Sequence, residues 1–377
     1  MKATGRPKYV LGVDSQPRNE RLNDSYAACR DEFRSAAQGL DVDVDVRRLE
    51  GHGRDGEELT IDTVHLGATR PRAALLVLSG VHGVEGFAGS AQQCDLLRSN
   101  PRLPAETACV VVHAVNPWGM SWWRRQNESN VDLNRNWQDF DEALPGNEPY
   151  THLHDLLCPS STEVPETGAF VEGLSAASAE HGLDWVRAAV SGGQYTHADG
   201  LYFGGERREA STRHLESIAV DHLAGVEDLL IVDLHTGHGP HGTCTMLTRA
   251  PMGSDDDRWL RATFAGETIE ATNGDPTATS APKKGQLTEG LLELLSPAVG
   301  RTTTLELGTR SETRMIVAER QEHWLHRFGD RSSEVGRELE QAHFECSIPP
   351  EDAWHRSARE HGARVLGKAL ASLEPPR

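Results

Sequence analysis

The segment Ala73–Ser90, AALLVLSGVHGVEGFAGS, contains the pattern that decides the fold. Its first six residues, Ala73–Leu78, form an unbroken apolar run, which is typical of a strand buried on both faces of a sheet. Three glycines follow within seven residues and let the backbone turn sharply. After them, Gly86–Arg98 is predicted to be a helix. A buried strand, a glycine turn and a helix favour an α/β fold with a largely parallel sheet.

Other apolar runs extend this sheet in both directions along the chain. The predicted buried strands are Cys109–Val115, Leu229–Leu234 and the β-branched Thr302–Leu307. Alternating patterns predict strands at Val42–Val46 and Thr60–Leu66, and helices are predicted around Asn23–Leu40 and at Asp352–Leu373. We therefore expect one α/β domain over residues 1–377, with a mixed, mainly parallel central sheet flanked by helices. The segment 142–204 is rich in Gly, Pro, His and acidic residues, and is expected to be a loop-rich insertion near the functional site.

Composition excludes several classes of function. The chain has 377 residues, 37% of them hydrophobic, which suits a soluble globular protein. Its net charge of -19 opposes a nucleic-acid partner, and no apolar run is long enough to cross a membrane. Residues 1–20 have no apolar signal-peptide core, and the six cysteines form no C-x-x-C pair. We expect reduced, buried thiols and a cytoplasmic protein; the sequence does not indicate an oligomeric state.

Polar residues follow or interrupt each of the four buried strands. His82 and Glu85 follow the first, and a dense polar segment running to Arg135 follows the second. His235 follows the third strand, and Glu306 lies within the fourth. Because ligands bind beyond the carboxyl ends of parallel strands, these side chains are expected to meet at one edge of the sheet.

His82, Glu85 and His235 are the candidate metal ligands. A spacing of three residues places His82 and Glu85 on the same side of a turn entering a helix. Catalytic zinc takes three protein ligands and leaves one position for water. By itself H-x-x-E is a weak motif in a chain with 18 histidines, and His82 alone could be a loop histidine bonded to a carbonyl.

A second metal hypothesis is a local cluster of His235, His238 and His241. The intervening glycines and proline argue against a helix that would bring the three together, so His238 and His241 are expected to line the site or to be bystanders. Asp233 points the same way as His235 along a strand and is a candidate to support it.

Four segments together resemble a known family. They are SGVHGVEGFAGS, HAVNPWGMSWWRRQNESNVDLNRNW, VDLHTGHGPHG and TTTLELG, in this order. They are similar to the zinc carboxypeptidase (M14-like) superfamily, and most closely to its DUF2817 branch, from about Thr60 to Glu319. The resemblance implies a zinc carboxypeptidase-like fold with one Zn²⁺ per chain, held by His82, Glu85 and His235.

The resemblance also implies roles for the polar segment. Asp132 would sit behind His82 and fix its ring, and Asn134 and Arg135 would bind a free substrate carboxylate. From the residues alone, Asp132 could equally cap a loop, and Asn134-Arg135 could form a surface turn.

The resemblance assigns the catalytic groups as well. Arg124 would stabilise the oxyanion of the scissile carbonyl, with Arg125 the second choice for that role and also a candidate for substrate binding. Glu306 would be the general base, and its position inside the apolar run Thr302–Leu307 supports a role, because burying a carboxylate without one is costly. The alternative for Arg124 is an ordinary ion pair.

One departure from the superfamily pattern concerns a tyrosine. Carboxypeptidases of this superfamily usually have one between the third zinc ligand and the general base, whereas no Tyr lies between His235 and Glu306 here. Tyr195 and Tyr202, from the predicted insertion, are the candidate substitutes.

These residues predict a zinc-dependent amide hydrolase of the metallocarboxypeptidase type. Its expected substrate is a small peptide or acyl-amino acid whose scissile amide lies next to a free carboxylate, cleaved through a metal-activated water. An N-acyl amino acid deacylase with the same machinery is the alternative. A non-catalytic protein that binds metal and carboxylate is the third hypothesis, and Glu306 and Arg124 argue against it because binding alone needs neither group.

Overall fold

A computed structural model describes residues 21–273 and 283–373. Residues 1–20, from which we inferred the absence of a signal peptide, lie outside this range. The strands are β1 (Val44–His52), β2 (Glu58–Gly67), β3 (Ala73–Ser79), β4 (Thr107–His113), β5 (Asp228–Gly237), β6 (Cys244–Thr248), β7 (Thr268–Ala271) and β8 (Val299–Gly308). The helices are α1 (Tyr26–Gln38), α2 (Gly86–Arg98), α3 (Pro117–Ser121), α4 (Glu148–Leu157), α5 (Thr167–His181), α6 (Leu183–Ser191), α7 (Ala210–Leu223), α8 (Asp255–Thr263), α9 (Leu287–Leu295), α10 (Glu312–Phe328), α11 (Glu334–Ser347) and α12 (Asp352–Ala371).

The described strands form one sheet in the order β1-β2-β4-β3-β5-β8-β6-β7. Pairing is parallel between β4 and β3, β3 and β5, β5 and β8, and β6 and β7, and antiparallel elsewhere. The predicted mixed, mainly parallel sheet is confirmed. The central strands β3 and β4 are almost wholly buried, which explains their unbroken apolar sequences.

Helices cover this sheet in two groups. Helix α2 packs on β3, β4 and β5, with α1 and α12 packed against it, and α7 and α9 form a second group that contacts β1, β2, β5 and β8. Side chains from the central strands and these helices make one continuous hydrophobic core. The site strands β3, β5 and β8 are therefore held rigidly in the middle of the domain.

The apolar patterns located the central elements closely. Helix α2 has the predicted bounds, and the predicted strands correspond to β1, β2, β3, β4, β5 and β8. The pattern missed β6 and β7, which are short strands of five and four residues beyond the central four.

The segment 142–204 is not loop-rich, and that expectation is wrong. It contains α4, α5 and α6, which bury a small apolar core of their own around Tyr150 and Phe170. Two polar residues of this segment act as helix caps: the side chain of Asn147 accepts a hydrogen bond from Tyr150 N, and that of Glu166 accepts one from Ala169 N.

Two further sequence expectations concern the whole chain. All six cysteines are buried free thiols, as predicted. Among the described helices, none combines the length and apolar character needed to cross a bilayer.

The turn between β3 and α2 fits closely against α3. A Cβ added at Gly83 would lie 2.1 Å from the carbonyl carbon of Gly119 and 2.2 Å from the nitrogen of Met120, so only glycine fits without moving backbone. We expect Gly83→Ala to lower the free energy of unfolding by about 1–3 kcal/mol, as overpacking does. Urea denaturation measures this, with Gly146→Ala as the matched control because a Cβ there meets no atom within 4 Å. Equal stability of the two variants would contradict the close fit.

Candidate active site

The parallel register of the sheet brings the predicted site residues together. Ser79 of β3 pairs with Leu234 of β5, so the turn after β3 begins where His235 lies on β5. His235 in turn pairs directly with Glu306 of β8. Three segments far apart in sequence thus deliver His82, His235 and Glu306 to one sheet edge.

His82, Glu85 and His235 form a compact buried cluster. Nδ1 of His82 lies 2.8 Å from Oε1 of Glu85, and Nδ1 of His235 lies 2.9 Å from Oε2 of the same carboxylate. The two Nδ1 atoms are 3.2 Å apart. The imidazole rings meet edge to face at 73°, so their ring planes cross at this cluster.

The other nitrogen of each ring faces an aspartate. Nε2 of His82 lies 3.2 Å from Oδ1 of Asp132, and Nε2 of His235 lies 2.7 Å from Oδ2 of Asp233. A carboxylate facing Nε2 holds the proton there, which leaves the Nδ1 lone pairs directed at each other and at Glu85.

Three lone-pair donors that converge in a buried space can hold a cation between them. Two nitrogens at about 2.0–2.1 Å from a tetrahedral ion would be about 3.3 Å apart, which matches the observed separation of the Nδ1 atoms. The donor set of two imidazoles, one carboxylate and two supporting aspartates therefore fits a metal ion such as zinc.

Asp132 is both a cap and a support for the site. It precedes the 3₁₀ turn Leu133–Arg135, and its Oδ1 accepts a hydrogen bond from Asn134 N at 3.0 Å while facing His82. Its Oδ2 accepts two hydrogen bonds from Arg125, each of 3.1 Å. Although burial opposes the charged form, Arg125 and Arg135 hold the pKa of Asp132 well below its usual range, so the carboxylate stays ionised behind His82.

Arg125, and not Arg124, lies at the site. Besides Asp132, its guanidinium is 3.4 Å from Oε1 of Glu85 and 3.7 Å from Oε1 of Glu319, and it lines the pocket together with His82 and His235. Arg124 is fully buried elsewhere: its Nε donates to both oxygens of Glu322, at 2.9 and 3.0 Å. Arg124 therefore forms an ordinary ion pair, which was the alternative to the oxyanion role expected from the sequence. The two arginines differ because adjacent side chains of this turn point in different directions.

Asn134 and Arg135 border the same pocket. Oδ1 of Asn134 accepts a hydrogen bond from Leu287 N at 3.2 Å. Arg135 is buried, and its terminal nitrogens donate to the carbonyls of Asn134 and Ser191, both at 2.7 Å. Within the described part of the chain no carboxylate forms an ion pair with it, and its Nε has no hydrogen-bond partner. A buried arginine left in this state favours an anionic ligand.

Tyr202 is the tyrosine that reaches the pocket. It lies near the end of the predicted insertion with φ of +57°, an uncommon conformation for a non-glycine residue. Its hydroxyl donates to Oε2 of Glu319 at 2.6 Å, and the Arg125 guanidinium lies 5.7 Å from its ring centroid. The hydroxyl of Tyr195 instead donates a hydrogen bond to the carbonyl of Arg135 at 2.6 Å and so helps to fix the backbone of that residue.

Three pocket residues escaped sequence reasoning. Glu319 lies on α10, Arg249 follows β6, and Lys283 precedes α9. None sits in a motif, so only the fold could place the first two. A signal existed for Lys283, since it forms an adjacent lysine pair with Lys284 in a chain that has few lysines.

The rival metal sites are less suited to an ion. His238 pairs with Glu270 at 3.0 Å, and His241 bonds to the carbonyl of Thr309 at 2.6 Å, so the two rings turn away from His235. The rings of His154 and His197 are stacked 18° from parallel, so their in-plane lone pairs do not converge. Of the three metal-capable groups in residues 21–273 and 283–373, only His82, Glu85 and His235 are all buried.

Comparison with models of protein families shows to which family this chain belongs. A family model described as "Protein of unknown function (DUF2817)" matches residues 22–361. The chain belongs to the DUF2817 family. That membership confirms the resemblance seen in the sequence motifs, and the match covers every candidate site residue named above.

A search of curated proteins found no match. Several solved structures resemble this DUF2817 protein at low sequence identity. A succinylglutamate desuccinylase/aspartoacylase family protein from Shewanella amazonensis SB2B is 17% identical over 75% of this chain and 71% of its own, with a TM-score of 0.38. Thrombin activatable fibrinolysis inhibitor is 12% identical over 94% and 75%, with a TM-score of 0.48. A metallo-carboxypeptidase from Pseudomonas aeruginosa, in complex with (2-guanidinoethylmercapto)succinic acid, is 13% identical over 91% and 67%, with a TM-score of 0.45. At these scores the similarities assign no activity to the DUF2817 chain.

The converging donors generate a prediction about metal content. We expect the purified protein to bind about one metal ion per chain and His235→Ala to lose it, because a catalytic site has only three protein ligands. Elemental analysis after dialysis measures the stoichiometry. His241→Ala is the matched control, since that ring bonds to Thr309 instead of facing the cluster. Full metal content in His235→Ala would refute the ligand set.

Proposed function

We propose that this chain is a zinc-dependent amide hydrolase that cleaves the amide bond next to a free carboxylate of its substrate. The observation that carries the proposal is the meeting, in one pocket, of the buried metal-binding cluster, the carboxylate of Glu306 and the buried cation of Arg135. Any one of these groups also occurs in proteins without catalytic activity, but together they supply a metal, a base and an anion site.

His82, Glu85 and His235 would hold the zinc ion, with Asp132 and Asp233 fixing the two rings. When bound, zinc acts as a Lewis acid and lowers the pKa of a water molecule towards about 7. Glu85 makes the donor set singly negative, which stabilises a divalent cation in a buried site.

Glu306 is the proposed general base. It is the register partner of His235 and lines the pocket on the open side of the cluster. It would take a proton from the attacking water and deliver it to the leaving amine nitrogen as the C–N bond breaks, so the products are a carboxylic acid and a free amine.

Arg125 replaces Arg124 in the proposed oxyanion role. Its guanidinium is anchored by two hydrogen bonds to Asp132 and still borders the pocket. Although burial opposes the charged form, Asp132, Glu319 and Glu85 raise the pKa of Arg125 above its usual value, so it remains a cation next to the scissile carbonyl.

Asn134 and Arg135 are the proposed carboxylate site. Arg135 offers its unpartnered Nε, and its backbone-bonded terminal nitrogens hold the guanidinium in place. A substrate carboxylate would supply the missing negative charge and fix the amide at a set distance from Glu306.

The role of Glu306 is tested by Glu306→Gln. We expect activity on carboxylate-bearing amides to fall by at least about 100-fold, because proton transfer by a positioned base contributes about 10²–10⁴. Metal content should stay near one ion per chain, because glutamine leaves the three ligands intact. Undiminished turnover would refute the base assignment, and a wild type that binds metal and carboxylates but hydrolyses no amide would favour the non-catalytic hypothesis.

The carboxylate site is tested by a substrate pair that differs only at that group. We expect the free acid to exceed its terminal amide by about 10- to 100-fold in kcat/KM, the range of one charged hydrogen bond. Arg135→Met should remove most of that discrimination. N-acyl amino acids and dipeptides are assayed side by side, so that the same experiment separates the deacylase from the peptidase. Equal discrimination in wild type and variant would exclude Arg135 as the carboxylate ligand.

A further inference from the structure

The pocket that contains the proposed carboxylate site has further polar lining residues, which we call its second region. This region is bordered by Arg249 at the end of β6, by Lys283, and by threonines of β8 and α9. Leu247 is the one apolar side chain among the described lining residues. A polar lining of this kind does not suit an apolar substrate group, because buried donors would lose their hydrogen bonds to water without replacement.

The charge of this region is strongly positive. Its described charged residues, apart from the histidines, are Arg125, Arg135, Arg249, Lys283 and Glu306. Arg125 is balanced by Asp132. Glu306, the proposed base, is the one carboxylate among the described lining residues. A basic substrate group would be repelled here, whereas an acidic one would be attracted.

Arg249 is held in a fixed position at the wall. Its Nη1 donates to the carbonyl of Lys283 and to Oε1 of Gln286, both at 2.6 Å, and its guanidinium also pairs with Glu289 of α9. Arg249 lines the pocket and Glu289 does not, so the pocket is next to the cation of this ion pair. Pre-positioned cations bind anions without the entropy cost of ordering a mobile side chain.

The wall carrying Lys283 is tied to the proposed carboxylate site. Leu287 N donates to Oδ1 of Asn134, and Trp137 N donates to the carbonyl of Gly285 at 3.0 Å. Gln286 and Thr288 at the N-terminus of α9 also line the pocket, where backbone N–H groups add to the positive potential. The segment that carries Lys283 is thus hydrogen-bonded to the segment that carries Asn134 and Arg135.

These surroundings shift the pKa of Lys283. Burial, together with the neighbouring Arg135 guanidinium, lowers the pKa of Lys283 to about 8, while Glu306 acts in the opposite direction. A bound anion would favour the charged amine.

We propose that this second region binds an acidic side chain of the substrate, so that the preferred substrate is an amide whose carboxylate-bearing residue is a dicarboxylic amino acid. Arg249 and Lys283 are then the specificity-determining residues, and the threonines complete the hydrogen bonds. This inference rests on the proposed amide hydrolysis and names the substrate class for it. The same chemistry occurs in a peptide ending in an acidic residue and in an N-acylated acidic amino acid.

The test compares acids with their isosteric amides. Zinc-loaded protein is assayed on dipeptides ending in Glu or Gln and on N-acetyl-Glu or N-acetyl-Gln. We expect the acid of each pair to be preferred by about 10- to 100-fold in kcat/KM, the range of a charged hydrogen bond. Comparison of the two arms shows whether the amide belongs to a peptide or to an acylated amino acid.

Variants assign the preference to residues. Arg249→Met and Lys283→Met should each reduce the acid-to-amide ratio of kcat/KM about tenfold, the loss of one charged hydrogen bond. Lys284→Met is the matched control, because this neighbouring lysine is exposed. The ratio is internal to each variant, so partial misfolding does not change it. No acid preference in wild type, or an unchanged ratio in both variants, would overturn the proposal.

Binding separates this proposal from the proposed hydrolysis. Calorimetric titration with L-glutamate and L-glutamine, which resemble the leaving product, measures the second region without turnover. Tighter binding of glutamate that is lost in Lys283→Met would support the acidic subsite even if no amide were cleaved. Turnover without such selectivity would retain the hydrolase and reject the subsite.

Discussion

Parallel pairing of β3, β5 and β8 is the constraint on which the candidate site depends. Parallel strands end at the same edge, and their register sets which residues are neighbours there. A one-residue slip between β5 and β8 would turn Glu306 to the opposite face of the sheet from His235. The buried apolar strands that prevent such a slip therefore also define the geometry of the chemistry.

A second constraint is the compensation of buried charge. Glu85, Asp132 and Asp233 surround two imidazoles, and Arg125 bridges Asp132 and Glu85. None of these groups is stable alone in a dry interior, so each fixes the position of the next. Arg135 interacts with Asp132 through space but forms no direct ion pair with a carboxylate of the described residues, and its Nε has no hydrogen-bond partner there. It is therefore the member of this network that we propose to bind the substrate carboxylate.

The stretch that follows α6 adds a tyrosine to the pocket. It carries Tyr202, whose hydroxyl bonds to Glu319 of α10 and whose ring lies beside Arg125. The backbone of Tyr202 has a positive φ of 57°, a conformation that few non-glycine residues adopt. Part of the pocket wall is therefore made by a segment that lies between the sequence motifs.

The sequence by itself determined the central sheet, helix α2 and the identity of the residues at its edge. Unbroken apolar runs report β3 and β4 directly, because these strands are buried on both faces. Tertiary structure alone decided that Arg125 rather than Arg124 faces the pocket, that segment 142–204 folds into helices, and that Arg249 and Lys283 join the wall. Adjacent arginines have the same local pattern, so the sequence could not tell Arg125 from Arg124. The rare lysine pair Lys283-Lys284 is visible in the sequence, but residues distant along the chain become neighbours only through packing, so only the fold shows that Lys283 and Arg249 line the pocket.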